Sequence, residues 1–156
     1  LDELKLTKKA RVLVIESPEK PGNIGAILRT AAAAEINAVI ISNIKTDIYH
    51  PNIIRSSLGG IFLLQIAIDN SNRTINFLKK NKICIISTSL SEEAKNYNEI
   101  IYKTPFALIF GSEDKGLNPI WFKSSDQVAK IPTNETIDSL NLSVSAGILI
   151  YHSLNH

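Results

Sequence analysis

Methionine is absent from this 156-residue chain, and cysteine and tryptophan occur once each. One cysteine, Cys84, cannot staple a fold. Disulfide scaffolds are excluded, and a reducing compartment, the cytoplasm, is expected. Cys84 lies in the apolar run Ile83-Cys84-Ile85-Ile86, which predicts a buried small hydrophobe. A dominant charge is also missing: 17 Lys and Arg stand against 15 Asp and Glu, a net of +2. There is no dedicated cationic tail, although a slight positive balance permits a nucleic-acid partner. No apolar run approaches the roughly 20 residues of a membrane-spanning helix. The first residues, Leu1-Asp2-Glu3-Leu4-Lys5, lack the apolar core of a signal peptide. His50, His152 and His156 are dispersed along the chain, and no metal site is expected. There is no Gly-x-Ser-x-Gly elbow, which disfavours an α/β-hydrolase. A start at Leu1 with no methionine leads us to expect a single domain, residues 1–156, cut from a longer protein with a further domain upstream.

What is present is a series of short apolar runs rich in β-branched residues. They are Val12-Leu13-Val14-Ile15, Ala38-Val39-Ile40-Ile41, Leu64-Gln65-Ile66-Ala67-Ile68, Ile83-Cys84-Ile85-Ile86, Ala107-Leu108-Ile109-Phe110 and Val128-Ala129-Lys130-Ile131. Most are nearly continuous rather than alternating, the pattern of strands buried on both faces of a parallel sheet. Helical stretches separate them. Ile24, Ile27, Leu28 and Ala31 share one helical face. Asn70 or Ser71 can cap a helix through Ile75, Phe77 and Leu78, with Lys79, Lys80 and Lys82 at its negative end. Pro51 suits the first turn of a short helix through Ile54 and Leu58, stopped by Gly59-Gly60. The alternation gives an α/β class with a mainly parallel sheet. Residues 90–105 are expected to form a surface loop or short helix, with no function assigned.

Three segments carry candidate chemistry. Gly111-Ser112-Glu113-Asp114-Lys115-Gly116 follows an apolar strand like a phosphate loop. A Walker loop needs Lys-Ser or Lys-Thr after its second glycine, and here Leu117-Asn118 follow. Glu113 and Asp114 would repel a polyphosphate, so a neutral or cationic ligand fits better. A plain turn with Gly116 at positive φ is the alternative. Gly22-Asn23-Ile24-Gly25 opens a helix but lacks the third glycine and later acid of a dinucleotide fingerprint. Asn23 can be read as an N-cap, and Arg29 as a solvated surface residue. At the start of the last helix, Ser139, Asn141, Ser143 and Ser145 supply more small polar groups than one cap requires, which suggests a ligand.

Taken together, Asn23-x-Gly25-x-x-x-Arg29-Thr30-Ala31, Phe110-Gly111-Ser112-Glu113-x-x-Gly116-Leu117, and Ile131-Pro132 with Ser139-Leu140-Asn141-Leu142-Ser143 resemble the three motifs of the SpoU (TrmH-like) RNA 2′-O-ribose methyltransferases. Arg55-Ser56-Ser57-Leu58-Gly59 is similar to a further segment of that family, and the resemblance runs from Arg11 to Leu154. The chain departs from the pattern at Thr133, Asn134 and Glu135, where Met and a nearby glycine are usual, and at Asp114, often glycine.

The resemblance implies the SPOUT fold: an α/β domain with a mainly parallel sheet flanked by helices and a C-terminal deep trefoil knot. It implies S-adenosylmethionine as cofactor, tRNA or rRNA as substrate, and a homodimer with active sites at the subunit interface. The upstream domain would then be an RNA-binding one. Carried-over catalytic positions are Asn23, Arg29, Glu113, Ser139 and Asn141. Carried-over cofactor positions are Leu108, Gly111, Gly116, Ile131, Leu140 and Ser145, with no metal. Ser143, Ser145, Ala146 and Gly147 would permit close backbone approach. A guanidinium with a pKa above about 12 does not serve as a base, so Arg29 is read as a phosphate clamp and alkoxide stabiliser. A non-catalytic RNA-binding protein of the same fold, and an α/β enzyme acting on a small phosphorylated metabolite, are the competing expectations.

Overall fold

The computed structural model describes residues 1–134, 136 and 139–155. Glu135 and His156, invoked above in motif and histidine readings, lie outside the described residues, as do Ile137 and Asp138. The chain runs β1 (Arg11–Glu16), α1 (Pro21–Ala33), β2 (Ala38–Ser42), α2 (Pro51–Ser57), a 3-10 turn (Gly60–Phe62), β3 (Ile66–Asp69) and α3 (Ser71–Lys80). It continues through β4 (Cys84–Thr88), β5 (Lys95–Asn96), a 3-10 turn (Tyr97–Glu99), β6 (Phe106–Phe110), α4 (Pro119–Ser124), β7 (Gln127–Lys130) and α5 (Leu142–Leu154).

The strands form one seven-stranded sheet in the order β3-β2-β1-β6-β4-β7-β5. Every pairing is parallel, with Leu13 opposite both Val39 and Leu108. A parallel sheet must be covered on both faces, which explains the continuous apolar runs. Successive side chains point to opposite faces. Leu13, Ile15, Val39, Ile41, Leu108 and Phe110 pack with α1, α2 and α5. Val12, Val14, Ile40, Ala107 and Ile109 pack with α3 and with Trp121 of α4. These strand residues are buried, and truncating a core leucine such as Leu13 to alanine would cost roughly 2–5 kcal/mol.

Local signals explain the element ends. Asn70 caps α3, its side chain accepting from Arg73 N, as the sequence reading allowed. Pro51 opens α2, but the stop comes one residue earlier than expected, with Leu58 itself left-handed at φ 48. α1 starts at Pro21 after Lys20, which makes no side-chain cap. Asn23 is therefore the third residue of the helix and not its N-cap: proline pre-sets the first turn and fixes the start earlier. Gly25 lies where α1 meets α2. A β-carbon there would come 2.7 Å from Ile53 O, so glycine lets the two helices touch.

Cys84 is half-buried rather than fully buried. Burial first, and the Asp126 carboxylate second, push its thiol pKa up. Residues 90–105 contain an edge strand and a 3-10 turn, with Ala94, Ile100 and Tyr102 buried. No helix among the described residues is long and apolar enough to cross a membrane.

Candidate active site

Ligands of parallel α/β sheets gather beyond the carboxyl ends of the strands. Here the ends of β4, β6 and β7 open into a cavity of about 590 Å³, reached also by the start of α5. That volume lies in the range of small-molecule sites. The lining mixes apolar surface from Leu117, Phe122, Ile131, Leu140 and Leu149 with polar side chains from the loops.

The loop after β6 closes on itself. Ser112 N donates to Gly116 O (3.1 Å) and Gly116 N to Ser112 O (3.0 Å). Lys115 N donates to Ser112 Oγ (3.1 Å). Gly116 has φ +64, and a β-carbon on Gly111 would collide with the Gly116 carbonyl. Both glycines are thus required by backbone geometry. A phosphate cradle needs free N–H groups pointing outward, but these three are spent inside the loop. Glu113 and Asp114 add negative charge, so the loop does not suit a polyphosphate.

A directed hydrogen-bond chain ties the three motif segments together. Asn141 caps α5: its Oδ1 accepts from Ser143 N (2.9 Å) and Val144 N (3.4 Å), and from Ser143 Oγ (2.6 Å). That commitment leaves Nδ2 to face outward, and it donates to Asn23 Oδ1 at 3.2 Å. Asn23 Nδ2 then donates to Glu113 Oε1 at 2.6 Å. A carboxylate can only accept and an amide has one oxygen and one nitrogen, so each amide orientation is fixed by its neighbour. The chain runs from the positive end of α5 to a carboxylate, the favourable sense for both. Glu113 Oε2 is buried and has no hydrogen-bond partner among the described residues. Leaving such an acceptor unmatched costs roughly 1–3 kcal/mol or more.

Of the sequence-predicted residues, Gly111, Glu113, Gly116, Ile131, Ser139, Leu140, Asn141 and Ser145 line the cavity. Asn23 sits just behind it through its bond to Glu113. Leu108 does not reach it; this residue is a buried strand position opposite Leu13 and Ile86. Arg29 is exposed on α1 and absent from the lining. Among the described residues it joins neither ion pair. Gly60 packs behind its backbone, where a β-carbon would lie 3.2 Å from Arg29 Cα. Gly147 has open space around it within this chain, so any close approach it permits is not to its own fold.

Sequence reasoning missed Thr88, Ser89, Leu90 and Ser91, which line the cavity after β4, and Lys20 before α1. Their signal was positional: a loop following the carboxyl end of a central parallel strand. No group of three or more His, Cys, Asp or Glu among the described residues could hold a metal ion.

Comparison with known proteins places this arrangement. Residues 10–151 match the SpoU rRNA Methylase family. The 23S rRNA (guanosine(2553)-2′-O)-methyltransferase RlmP of Bacillus subtilis is 32% identical over 152 residues, 97% of this chain and 61% of that protein. A crystal structure of an RNA 2′-O ribose methyltransferase superposes with a TM-score of 0.91 at 35% identity, covering 99% of this chain and 59% of the other. An AdoMet-bound rRNA methyltransferase from Sinorhizobium meliloti gives 0.91 at 28% identity, covering 96% and 57%. The chain spans about three fifths of the length of the curated relatives it matches. By sequence and by fold, it belongs to the SpoU rRNA methylase family.

Proposed function

We propose that this chain is the catalytic domain of an S-adenosylmethionine-dependent RNA 2′-O-ribose methyltransferase acting on tRNA or rRNA. The observation that carries the reading is the Asn141–Asn23–Glu113 chain at the cavity, which unites three segments distant in sequence. The residues fit the cofactor. Apolar side chains of Leu117, Ile131 and Leu140 suit a purine ring. The acidic, self-closed loop disfavours polyphosphate and tolerates a positive sulfur. The buried Glu113 Oε2 is an acceptor for a donor that no described residue of the single chain supplies.

Gly111, Gly116, Ile131, Leu140 and Ser145 would hold the cofactor, with Leu108 contributing only the strand that leads into the loop. When bound, the cofactor supplies a methyl group on a sulfonium sulfur. Asn23, Glu113, Ser139 and Asn141 shape the pocket where the ribose hydroxyl meets it, and in-line positioning supplies much of the rate. Arg29 binds an RNA phosphate and stabilises the developing alkoxide, while a phosphate oxygen or water takes the proton. The reaction uses no metal.

A homodimer belongs to the same reading. α5 is apolar on most of its surface, yet Val144 and Tyr151 are exposed in the single chain; a helix apolar all round is one that is covered all round. Arg29 lies six residues from Asn23, about 9 Å along the axis and on another face, so it would serve the cavity of a second copy. A deep trefoil knot through the C-terminal segment, an upstream RNA-binding domain and a cytoplasmic location complete the proposal.

The test is to incubate the full-length protein with RNA and methyl-labelled S-adenosylmethionine, then digest to nucleosides. Label in 2′-O-methyl nucleosides is the expected result. Label on bases, or cofactor binding without transfer to any RNA, overturns the reading.

A further inference from the structure

We infer that Glu16 is a positioning residue for the cofactor loop, acting through Asn118 rather than by touching a ligand. The inference rests on the reading of the cavity as an S-adenosylmethionine site.

Glu16 is the last residue of β1 and is 4% exposed. It does not line the cavity. Both carboxylate oxygens are used. Oε1 accepts from Ser71 Oγ at 2.6 Å, and Ser71 Oγ in turn accepts from Asn43 Nδ2 at 2.7 Å. Oε2 accepts from Asn118 N at 2.8 Å. Asn118 is the junction where the loop ends and α4 begins; its own Oδ1 accepts from Ile120 N at 3.1 Å.

The consequence lies in how the loop is tied down. Gly111 through Leu117 contribute consecutively to the cavity wall. The loop is held near its middle by Glu113 to Asn23 and at its end by Asn118 to Glu16. Both anchors belong to one short stretch, from the end of β1 to the start of α1. Lys20, in that same stretch, lines the cavity too. One segment therefore fastens the loop twice, across sequence separations of 90 and 102. A bond to a carboxylate is roughly twice as strong as a neutral one. Without it, the loop keeps the Glu113 anchor and the packing of Leu117, but its end loses the charged tie, and the cavity wall is less firmly pre-set for its ligand.

The distinction from plain structural support is testable. Glu16→Ala removes the anchor, and Glu16→Asp draws the carboxylate back so that it no longer reaches both partners. Ser71→Ala removes only the α3 contact and leaves Asn118 in place. Calorimetry with S-adenosylmethionine and S-adenosylhomocysteine should show affinity reduced about tenfold in Glu16→Ala and Glu16→Asp and unchanged in Ser71→Ala. Hydrogen exchange on unliganded protein should show faster exchange in residues 111–118 of Glu16→Asp, with the core strands unchanged. Glu16→Asp also keeps the test intact if the alanine variant fails to fold. Wild-type affinity in a folded Glu16→Asp protein, or unaltered exchange in its loop, overturns the inference. If wild type binds neither ligand, the cofactor reading fails instead, and exchange alone then decides whether Glu16 fastens the loop.

Discussion

The carboxyl ends of the strands finish differently on the two sides of the sheet. Beyond β2 and β3 the ends are closed by matched polar side chains. Ser42 Oγ meets Thr74 Oγ1 at 3.0 Å, and Asn43 Nδ2 donates to Ser71 Oγ at 2.7 Å. Beyond β6, β4 and β7 the ends stand apart around a cavity, and the carboxylate of Glu113 keeps one buried oxygen unmatched among the described residues. The sheet is parallel throughout, so backbone geometry does not separate the two sides. The side chains do. Where polar groups are matched internally the fold gains order, and the oxygen left over at the cavity is the acceptor that the proposed ligand site offers.

That contrast predicts which property each substitution alters. The largest effect is expected at Arg29, which belongs to neither side in the single chain. Arg29→Ala should lower turnover on RNA by about 10²-fold or more while cofactor affinity by calorimetry stays at the wild-type value. Arg29→Lys should recover little, because the planar fork is lost, and no limb of the pH–rate profile should vanish in either variant. Unchanged turnover in Arg29→Ala would remove it from the mechanism.

On the open side, Gly111→Ala forces a β-carbon into Gly116. Overpacking against backbone costs roughly 1–3 kcal/mol, and the affinity for S-adenosylhomocysteine should fall about tenfold or more. Wild-type affinity in this variant would show that the loop is not the wall of the ligand site.

On the closed side, Thr74→Val removes the partner of the buried Ser42 hydroxyl. Urea unfolding should register a loss of roughly 1–3 kcal/mol, with cofactor affinity untouched. A change in affinity would break the contrast between the two sides.

The smallest effect lies away from both, at Tyr102. Its hydroxyl donates to Tyr97 O at 2.7 Å, and burial, with the Tyr97 hydroxyl second, pushes its pKa up to about 12 from 10. The unfolded chain then ionises first. The tyrosine's contribution to stability is complete below pH 10 and lost as pH rises towards 12. Thermal melts between those values should fall more steeply for wild type than for Tyr102→Phe.

Much of this architecture was readable from local pattern. The continuous apolar runs marked the central strands because a covered parallel sheet tolerates nothing else there. Gly116 and Asn70 announced their turns by chemistry confined to a few residues. The N-cap alternative for Asn23 fails because Pro21 sets the helix start, a contest between two local signals. The lining role of residues 88–91 had no local signature. It arises because β4 lies between β6 and β7, an arrangement set by non-local pairing. The bond from Asn23 to Glu113 was equally out of reach, since nothing in either segment names a partner 90 residues away. Family resemblance brought those residues into one site, and the hydrogen bonds supply the physical reason.

β1 pairs with β2 on one edge and with β6 on the other, so that Leu13 waits for Leu108. During synthesis, β1 through β3 emerge long before Phe106–Phe110. Until then the future centre of the sheet presents an open apolar edge, the kind of surface that recruits other chains. Long-range parallel pairing of this sort also slows folding. The domain thus has a vulnerable period in its life, after its first strands are made and before its sixth arrives. A translation product ending short of Phe106 would be prone to aggregate rather than to form half of the domain.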